Sequence, residues 1–201
     1  LDAGDFSTWL TDMSAALRGD AESTVPCGTC TACCTSSQFM HIGPDETEAL
    51  AAIPRQLLFP APGLPDGHVL MGYDSNGHCP MLVDGGCSIY AQRPRTCRTY
   101  DCRVFAAAGV ANDTMPAIDA QARRWRFSTS TSADQPLRAA VAAAAAFVDE
   151  HRREMDPVVV PATATQLAVV AVAIHETFLD RDEPPPVPAV EAAIRGLREG
   201  R

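Results

Sequence analysis

The sequence predicts a mainly α chain with a small β-hairpin, whose irregular, cysteine-rich front half is capped by a C-terminal helical layer. Three observations lead there. All eight cysteines (Cys27, Cys30, Cys33, Cys34, Cys79, Cys87, Cys97 and Cys102) fall in the front half. Around them run short β-prone stretches punctuated by glycine and proline. The back half instead carries long stretches of helical period. At 201 residues the expectation is one compact unit: 1–108 as a cysteine region with an N-terminal helix, and 109–201 as helices packed on it.

Taken in order, residues 5–18 form an amphipathic helix. Phe6, Trp9, Leu10, Met13 and Leu17 lie on one face, and Gly19 is placed to end it. The stretch 27–34 is irregular, and its small residues leave room for backbone amides to turn toward sulfur. Residues 38–42 read as a strand, and Gly43-Pro44-Asp45-Glu46 opens a helix to about Ile53. After a proline-rich loop, 68–73 and 78–83 read as a hairpin around Asp74-Ser75-Asn76-Gly77, followed by a second turn at Asp84-Gly85-Gly86. Pro94 starts a helix that carries Cys97 and Cys102 to about Ala108.

Residues 109–133 show no clear period. Residues 135–154 read as a helix with Asp134 as its N-cap. A second helix runs over 163–180, with Thr163 and Gln166 spaced as a capping box. Pro184-Pro185-Pro186 breaks the chain before a last helix over 188–199.

Composition narrows the function classes. The formal charge is −9, from 25 acidic residues against 16 bases, all of them arginine. That balance argues against nucleic acid, whose binding relies on an excess of basic side chains. The most apolar stretch, 158–174, is interrupted by Pro161, Thr163, Thr165 and Gln166, short of the ~20 apolar residues a span needs. The opening Leu1-Asp2-Ala3-Gly4-Asp5 has neither the basic nor the apolar part of an export signal. The expectation is a cytoplasmic protein with no membrane contact, whose cysteines act as thiolates rather than disulfides.

Cys27-x2-Cys30-x2-Cys33 lets neighbouring sulfurs converge from one tight loop, as in the opening of bacterial ferredoxin cluster motifs. Cys79-Pro80 offers a distant fourth ligand. The pair Cys27 and Cys30 suits tetrahedral zinc equally. Adjacent Cys33 and Cys34 tend to face different ways, which implies either two metal sites or one site with a spare thiol. Arg93, Arg95, Arg98 and Arg103 flank Cys97 and Cys102, and fixed positive charge there offsets the anion that four thiolates make around a metal.

With those residues in view, C-G-T-C-T-A-C-C, C-P-M-L, G-G-C-S-I-Y, R-P-R-T-C-R and Y-D-C resemble the CxxCxxCC, or YkgJ-like, cysteine-cluster family over residues 26–103. The resemblance implies a zinc- or iron-chelating domain, whose members often carry the label of iron–sulfur oxidoreductase. The same region is more distantly similar to the cysteine segment of flagellin lysine methylases, an iron–sulfur-dependent group. Other motifs carry less. His78 is a candidate ligand or a donor beside Cys79, while His41 and His68 read as structural. His175-Glu176 lacks the second histidine of a zinc protease helix, with Leu179 standing there. Arg123-Arg124-Trp125-Arg126-Phe127 reads as a packed edge.

The leading expectation is a cysteine-ligated [4Fe–4S] protein, an oxidoreductase or accessory protein with a redox or protein partner, in which all eight cysteines are ligands or close neighbours of the metal. The alternative is a structural, protein-interaction module with two four-thiolate zinc sites. Structural zinc supplies an apparent ~10–16 kcal/mol, enough to hold a loop-rich segment.

Overall fold

The computed structural model describes residues 1–18, 20–21, 25, 27–181 and 183–199, so Gly19 and Pro26 lie outside the described residues. The fold is mainly α with small sheets, as the sequence predicts. The chain forms two compact units: Leu1–Glu22, Cys102–Thr114 and Asp119–Arg201 make one, and Ser23–Asp101 with Met115–Ile118 the other. The N-terminal helix, grouped with the cysteine region on sequence, belongs to the first.

That first unit is helical. Its members are α1 (Phe6–Arg18), α4 (Arg103–Ala108), the C-terminal part of α5 (Pro116–Ala122), α6 (Asp134–Glu150), α7 (Ala164–Ile174) and α8 (Val187–Glu199). Helices α4, α6 and α7 pack against one another, α1 lies on α6 and α7, and α8 lies on α7. Buried alanines on the facing surfaces (Ala140, Ala144, Ala145, Ala168, Ala171) are small enough for the helices to approach closely. Gly109 ends α4 at φ 68°, where a residue with a Cβ is strained. Strand β1 (Asp2–Asp5) pairs in parallel with β7 (Arg126–Ser128). There Phe127 closes an aromatic cluster, its ring 5.0 Å from Phe6 and 4.8 Å from Trp9. The basic–aromatic run is therefore a packed edge.

Asp134 does not cap its own helix. Its carboxylate accepts the Ser7 amide at 2.8 Å, in the first turn of α1, and the Thr131 amide at 2.6 Å. Hydrogen bonds from the Ser7 side chain, then from the Thr131 and Ser7 amides, hold this buried carboxyl well below the usual range. The capping box forms with a small shift: Gln166 N–H donates to Thr163 Oγ1 at 3.1 Å, while Gln166 Oε1 accepts from Ala162 N–H at 2.7 Å. Helix α7 is shorter than the predicted 163–180, and a 3-10 turn follows at His175–Phe178.

The second unit holds the cysteine segment. Strands β2 (Met40–Ile42), β4 (Val69–Met71) and β3 (Leu58–Pro60) form an antiparallel sheet with β4 in the middle. Met40 and Ile42 face inward from β2 and pack with Ile53, Met71, Met81 and Ile89 as the core of this unit. Helix α2 (Thr47–Ala52) follows β2, and α3 (Arg95–Thr99) docks on β2 through Thr96 Oγ1–H, which donates to the His41 carbonyl at 2.8 Å. Glu46 links these parts, accepting the Gly43 amide at 2.9 Å and the first amide of α3, that of Arg95.

The hairpin predicted over 68–83 does not form as drawn. Its turn closes, with Asp74 N–H donating to the His78 carbonyl at 2.8 Å, but pairing stops there. Pro80 has no amide for a ladder, and Cys79 N–H donates instead to the Cys34 carbonyl at 2.7 Å. The small hairpin sits one turn later, β5 (Leu82–Val83) against β6 (Gly86–Cys87). Asp84 (φ 50°) and Gly85 (φ 76°) supply the two left-handed residues of a type I′ turn. The predicted helix from Pro94 to Ala108 is likewise two helices, broken where Tyr100 turns extended. The break assigns Cys97 and Cys102 to different units.

Phe6 is fully buried at the centre of the aromatic cluster. Phe6→Ala is expected to lower the unfolding free energy by ~3–5 kcal/mol, measured by denaturant titration followed by circular dichroism.

Candidate metal centre

Seven of the eight cysteines line one cavity of the second unit: Cys27, Cys30, Cys33, Cys34, Cys79, Cys87 and Cys97. Its volume is about 80 Å³, several times the ~10–15 Å³ that one water needs. The floor is the unit's own core, with Met40, Met71, Met81 and Ile89 serving both. None of the eight cysteines is joined in a disulfide.

Local structure explains how sulfurs distant in sequence share this wall. Gly28 at φ 56° lets the chain turn so that Cys30 N–H donates to the Cys27 carbonyl at 2.9 Å. Cys33–Thr35 forms a 3-10 turn, braced by Ser36 Oγ–H donating to the Ala32 carbonyl at 2.6 Å. This stretch is then tied to later segments. Val25 N–H donates to the Arg98 carbonyl at 2.7 Å, and Gly28 N–H to Tyr90 Oη at 3.3 Å. Ser37 N–H donates to the Gly77 carbonyl at 2.9 Å. A Cβ on Gly77 would come within 2.3 Å of Ser37 Oγ.

Burial first, then the other thiols, pushes Cys97 up to about 12 and Cys34 up to about 11, from an ordinary value of 9.0. Burial also raises Cys27 and Cys79. At Cys27 the Arg93 guanidinium opposes burial. At Cys79 the backbone amides of Met81 and Leu82 oppose it, and Leu82 N–H donates to the Cys79 carbonyl at 2.9 Å. The sulfurs of Cys79, Cys34, Cys87 and Cys27 add to burial at Cys97, and those of Cys79, Cys87, Cys27 and Cys30 add to it at Cys34.

The four arginines fall in different places. Arg93 is buried on the cavity wall, its guanidinium 3.9 Å from the Tyr90 ring centroid. Arg93 Nη2–H donates to the Val25 carbonyl at 2.9 Å and Nη1–H to the Tyr90 carbonyl at 3.1 Å, while its buried Nε–H has no hydrogen-bond partner among the described residues. Arg95 is exposed and pairs with Asp45 at 2.6 Å. Arg98 lines a separate polar cleft with Asp45 and Glu46. Arg103 belongs to the helical unit, where it donates to the Ala3 carbonyl at 3.4 Å. Cys102 is in that unit too, and the Trp125 indole N–H donates to its sulfur at 3.2 Å. His78 engages Asp74 through its backbone, and His41 and His68 form a stacked pair with Nε2 and Nδ1 2.9 Å apart.

Gln38 was not singled out on sequence. It lines the cavity, and its buried Nε2 has no partner among the described residues. The signal was the period-two row Gln38, Met40, Ile42, which sets a polar side chain just before β2 in line with that strand's inward residues.

The donor chemistry fits a thiophilic metal: soft sulfur ligands select zinc, copper(I) or iron–sulfur clusters. Two unclaimed N–H donors on the same wall suit the anion that thiolates form around such a metal. Among the described residues, no three His, Cys, Asp or Glu side chains surround a single point as ion ligands would. The sulfurs share a cavity rather than a finished cage, and rotation about χ1 moves a free thiol without moving the backbone.

Residues 26–121 match the model of the CxxCxxCC family. Its description is "putative zinc- or iron-chelating domain". The match and the thiol-lined cavity together support cysteine-ligated metal binding. No curated protein and no solved structure matches the chain. Among the described residues, no helix is long and apolar enough to cross a membrane.

Two outcomes are expected. Gly77→Ala combines backbone strain at φ 78° with the Ser37 clash, whereas Gly85→Ala at φ 76° meets nothing within 4 Å. Denaturant titration should find Gly77→Ala the more destabilising, by ~1–3 kcal/mol in total. In reduced, metal-free protein, Cys34 and Cys97 keep their protons to a higher pH folded than unfolded. Their contribution is complete below 9.0 and is lost as pH rises through about 11 to 12. The denaturation midpoint should therefore fall with alkali, and Cys34→Ser with Cys97→Ser should flatten that fall.

Proposed function

We propose that the cavity of residues 27–97 holds an iron–sulfur cluster of the [4Fe–4S] type, and that the protein is a redox protein or an iron–sulfur enzyme. The observation that carries this reading is the pair of buried, unclaimed donors, Arg93 Nε–H and Gln38 Nε2–H, on an apolar cavity of about 80 Å³. A four-thiolate zinc site closes around its ion with zinc–sulfur bonds of ~2.3 Å and needs no such space. A cluster brings inorganic sulfides that accept hydrogen bonds, and such bonds tune its potential. Four of the seven cavity thiolates would ligate it and Arg93 would offset its charge. The cluster supplies electron transfer or an open iron for a substrate. A cytoplasmic, reducing compartment suits thiolate chemistry of this kind, and an electron donor or acceptor protein is the partner it calls for.

Structural zinc is the second reading. What supports it is that the backbone amides of Met81 and Leu82, which offset burial at Cys79, would also suit a zinc-bound thiolate. The even division of eight cysteines into two four-thiolate sites is not what supports it, since Cys102 is bonded by Trp125 in the helical unit.

Protein purified without oxygen should be brown, with broad absorption near ~400 nm and iron and acid-labile sulfide in equal amounts. Colourless protein carrying zinc under those conditions would overturn the cluster. Gln38→Leu should keep the iron yet lower the reduction potential, because loss of a donor disfavours the more negative reduced state. An unchanged potential would remove Gln38 from the site.

A further inference from the structure

The helical unit has a cleft of its own, of about 310 Å³, that the metal reading does not use. Phe105, Ala106, Val110, Ala122 and Trp125 give it apolar walls. Arg123, Arg126 and Arg138 bring three guanidinium groups to it, against a single lining carboxylate, Asp119. In a chain of net charge −9, such a concentration of positive charge is a local reversal.

The charge balance within the cleft decides what it would take. Both oxygens of Asp119 are already engaged, Oδ1 by the Asn112 amide at 3.0 Å and Oδ2 by Arg123 Nε–H at 2.5 Å. Asp113 also acts on Arg123, so that guanidinium is largely neutralised. Among the described residues no carboxylate pairs with Arg126. Its Nη1–H groups donate to the Arg123 and Trp125 carbonyls at 2.6 and 2.8 Å, which fix the planar group and leave its other N–H donors available. Arg138 projects from α6, and among the described residues no hydrogen bond or ion pair engages it. Trp125 is half-buried in the wall, its indole N–H already committed to Cys102, so what it offers a ligand is ring surface.

We propose that this cleft binds a small organic anion, a carboxylate or phosphate monoester carrying an apolar or aromatic group. Arg126 and Arg138 take the charged end, since guanidinium donors match the planar or tetrahedral oxygens of such groups. Trp125, Phe105 and Val110 take the apolar end. A volume near 300 Å³ is at the small end of ligand cavities. Fixing Arg126 and Arg123 beforehand lowers the ordering cost of binding. A polyanion is disfavoured by the acidic chain around the cleft. This site is independent of whether the cysteine cavity holds iron or zinc.

Isothermal titration of the full chain with phenyl phosphate, inorganic phosphate and phenol tests it. Phenyl phosphate should bind saturably and more tightly than either fragment. Arg138→Ala should weaken it roughly ten-fold or more, the loss expected for a charged hydrogen bond. Arg126→Ala should act likewise, with circular dichroism and metal content unchanged in both. Because Arg138 is exposed and unengaged, its removal does not threaten the fold. Absence of saturable phenyl phosphate binding overturns the proposal, and so does equal binding of phenol or of inorganic phosphate. Binding that survives Arg138→Ala unchanged overturns it as well.

Discussion

Burying thiols in an apolar cavity is the constraint on which the cysteine unit rests. A sulfur on the wall of a cavity floored by Met40, Met71, Met81 and Ile89 is costly to ionise, and Cys97 and Cys34 show it most strongly. A metal reverses the sense of that environment. It takes the sulfurs as thiolates, and the low dielectric that penalised each charge alone then strengthens its attraction to the cation. One buried guanidinium, Arg93, is in place to balance the remaining negative charge. Its Nη donors are already spent on the Val25 and Tyr90 carbonyls, which hold it at the wall.

Much of this was legible from residue spacing. Helical periods placed α1, α6, α7 and α8, because the apolar faces of long helices repeat often enough to outweigh local noise. The confinement of cysteine to 27–102 marked the metal region before any geometry was known. What escaped the sequence was specific to partners distant along the chain. Asp134 had the right position to cap its own helix but binds Ser7, more than a hundred residues away. The turn at Asp74–Gly77 was readable, yet the strand beyond it was lost to Pro80 and to Cys34, which claims the Cys79 amide. Gln38 looked like an ordinary polar residue before a strand.

The arginines illustrate the same limit. Four of them crowd the sequence between 93 and 103, which suggested one electrostatic shell. In three dimensions their tasks differ. Arg93 serves the thiol cavity, Arg95 pairs with Asp45, Arg98 borders a polar cleft and Arg103 braces Ala3 in the helical unit. Nearness along a chain with turns every few residues says little about a shared direction. Arg126 and Arg138, separated by a turn and the start of a helix, end on one cleft.

The hydrogen bond from Cys79 to the Cys34 carbonyl has a further meaning when the chain is considered as a polymer. It closes a loop of about 45 residues, and the entropy lost in doing so is roughly 3 kcal/mol plus a constant. A single hydrogen bond returns only ~1 kcal/mol net. The neighbouring bond from Ser37 to Gly77 adds a similar amount without closing a new loop. These contacts therefore set the register of the two segments but do not supply the drive to bring them together. That drive comes from the methionine- and isoleucine-lined core beneath them, so the surface that makes thiolates hard to form is also the one that gathers the thiols.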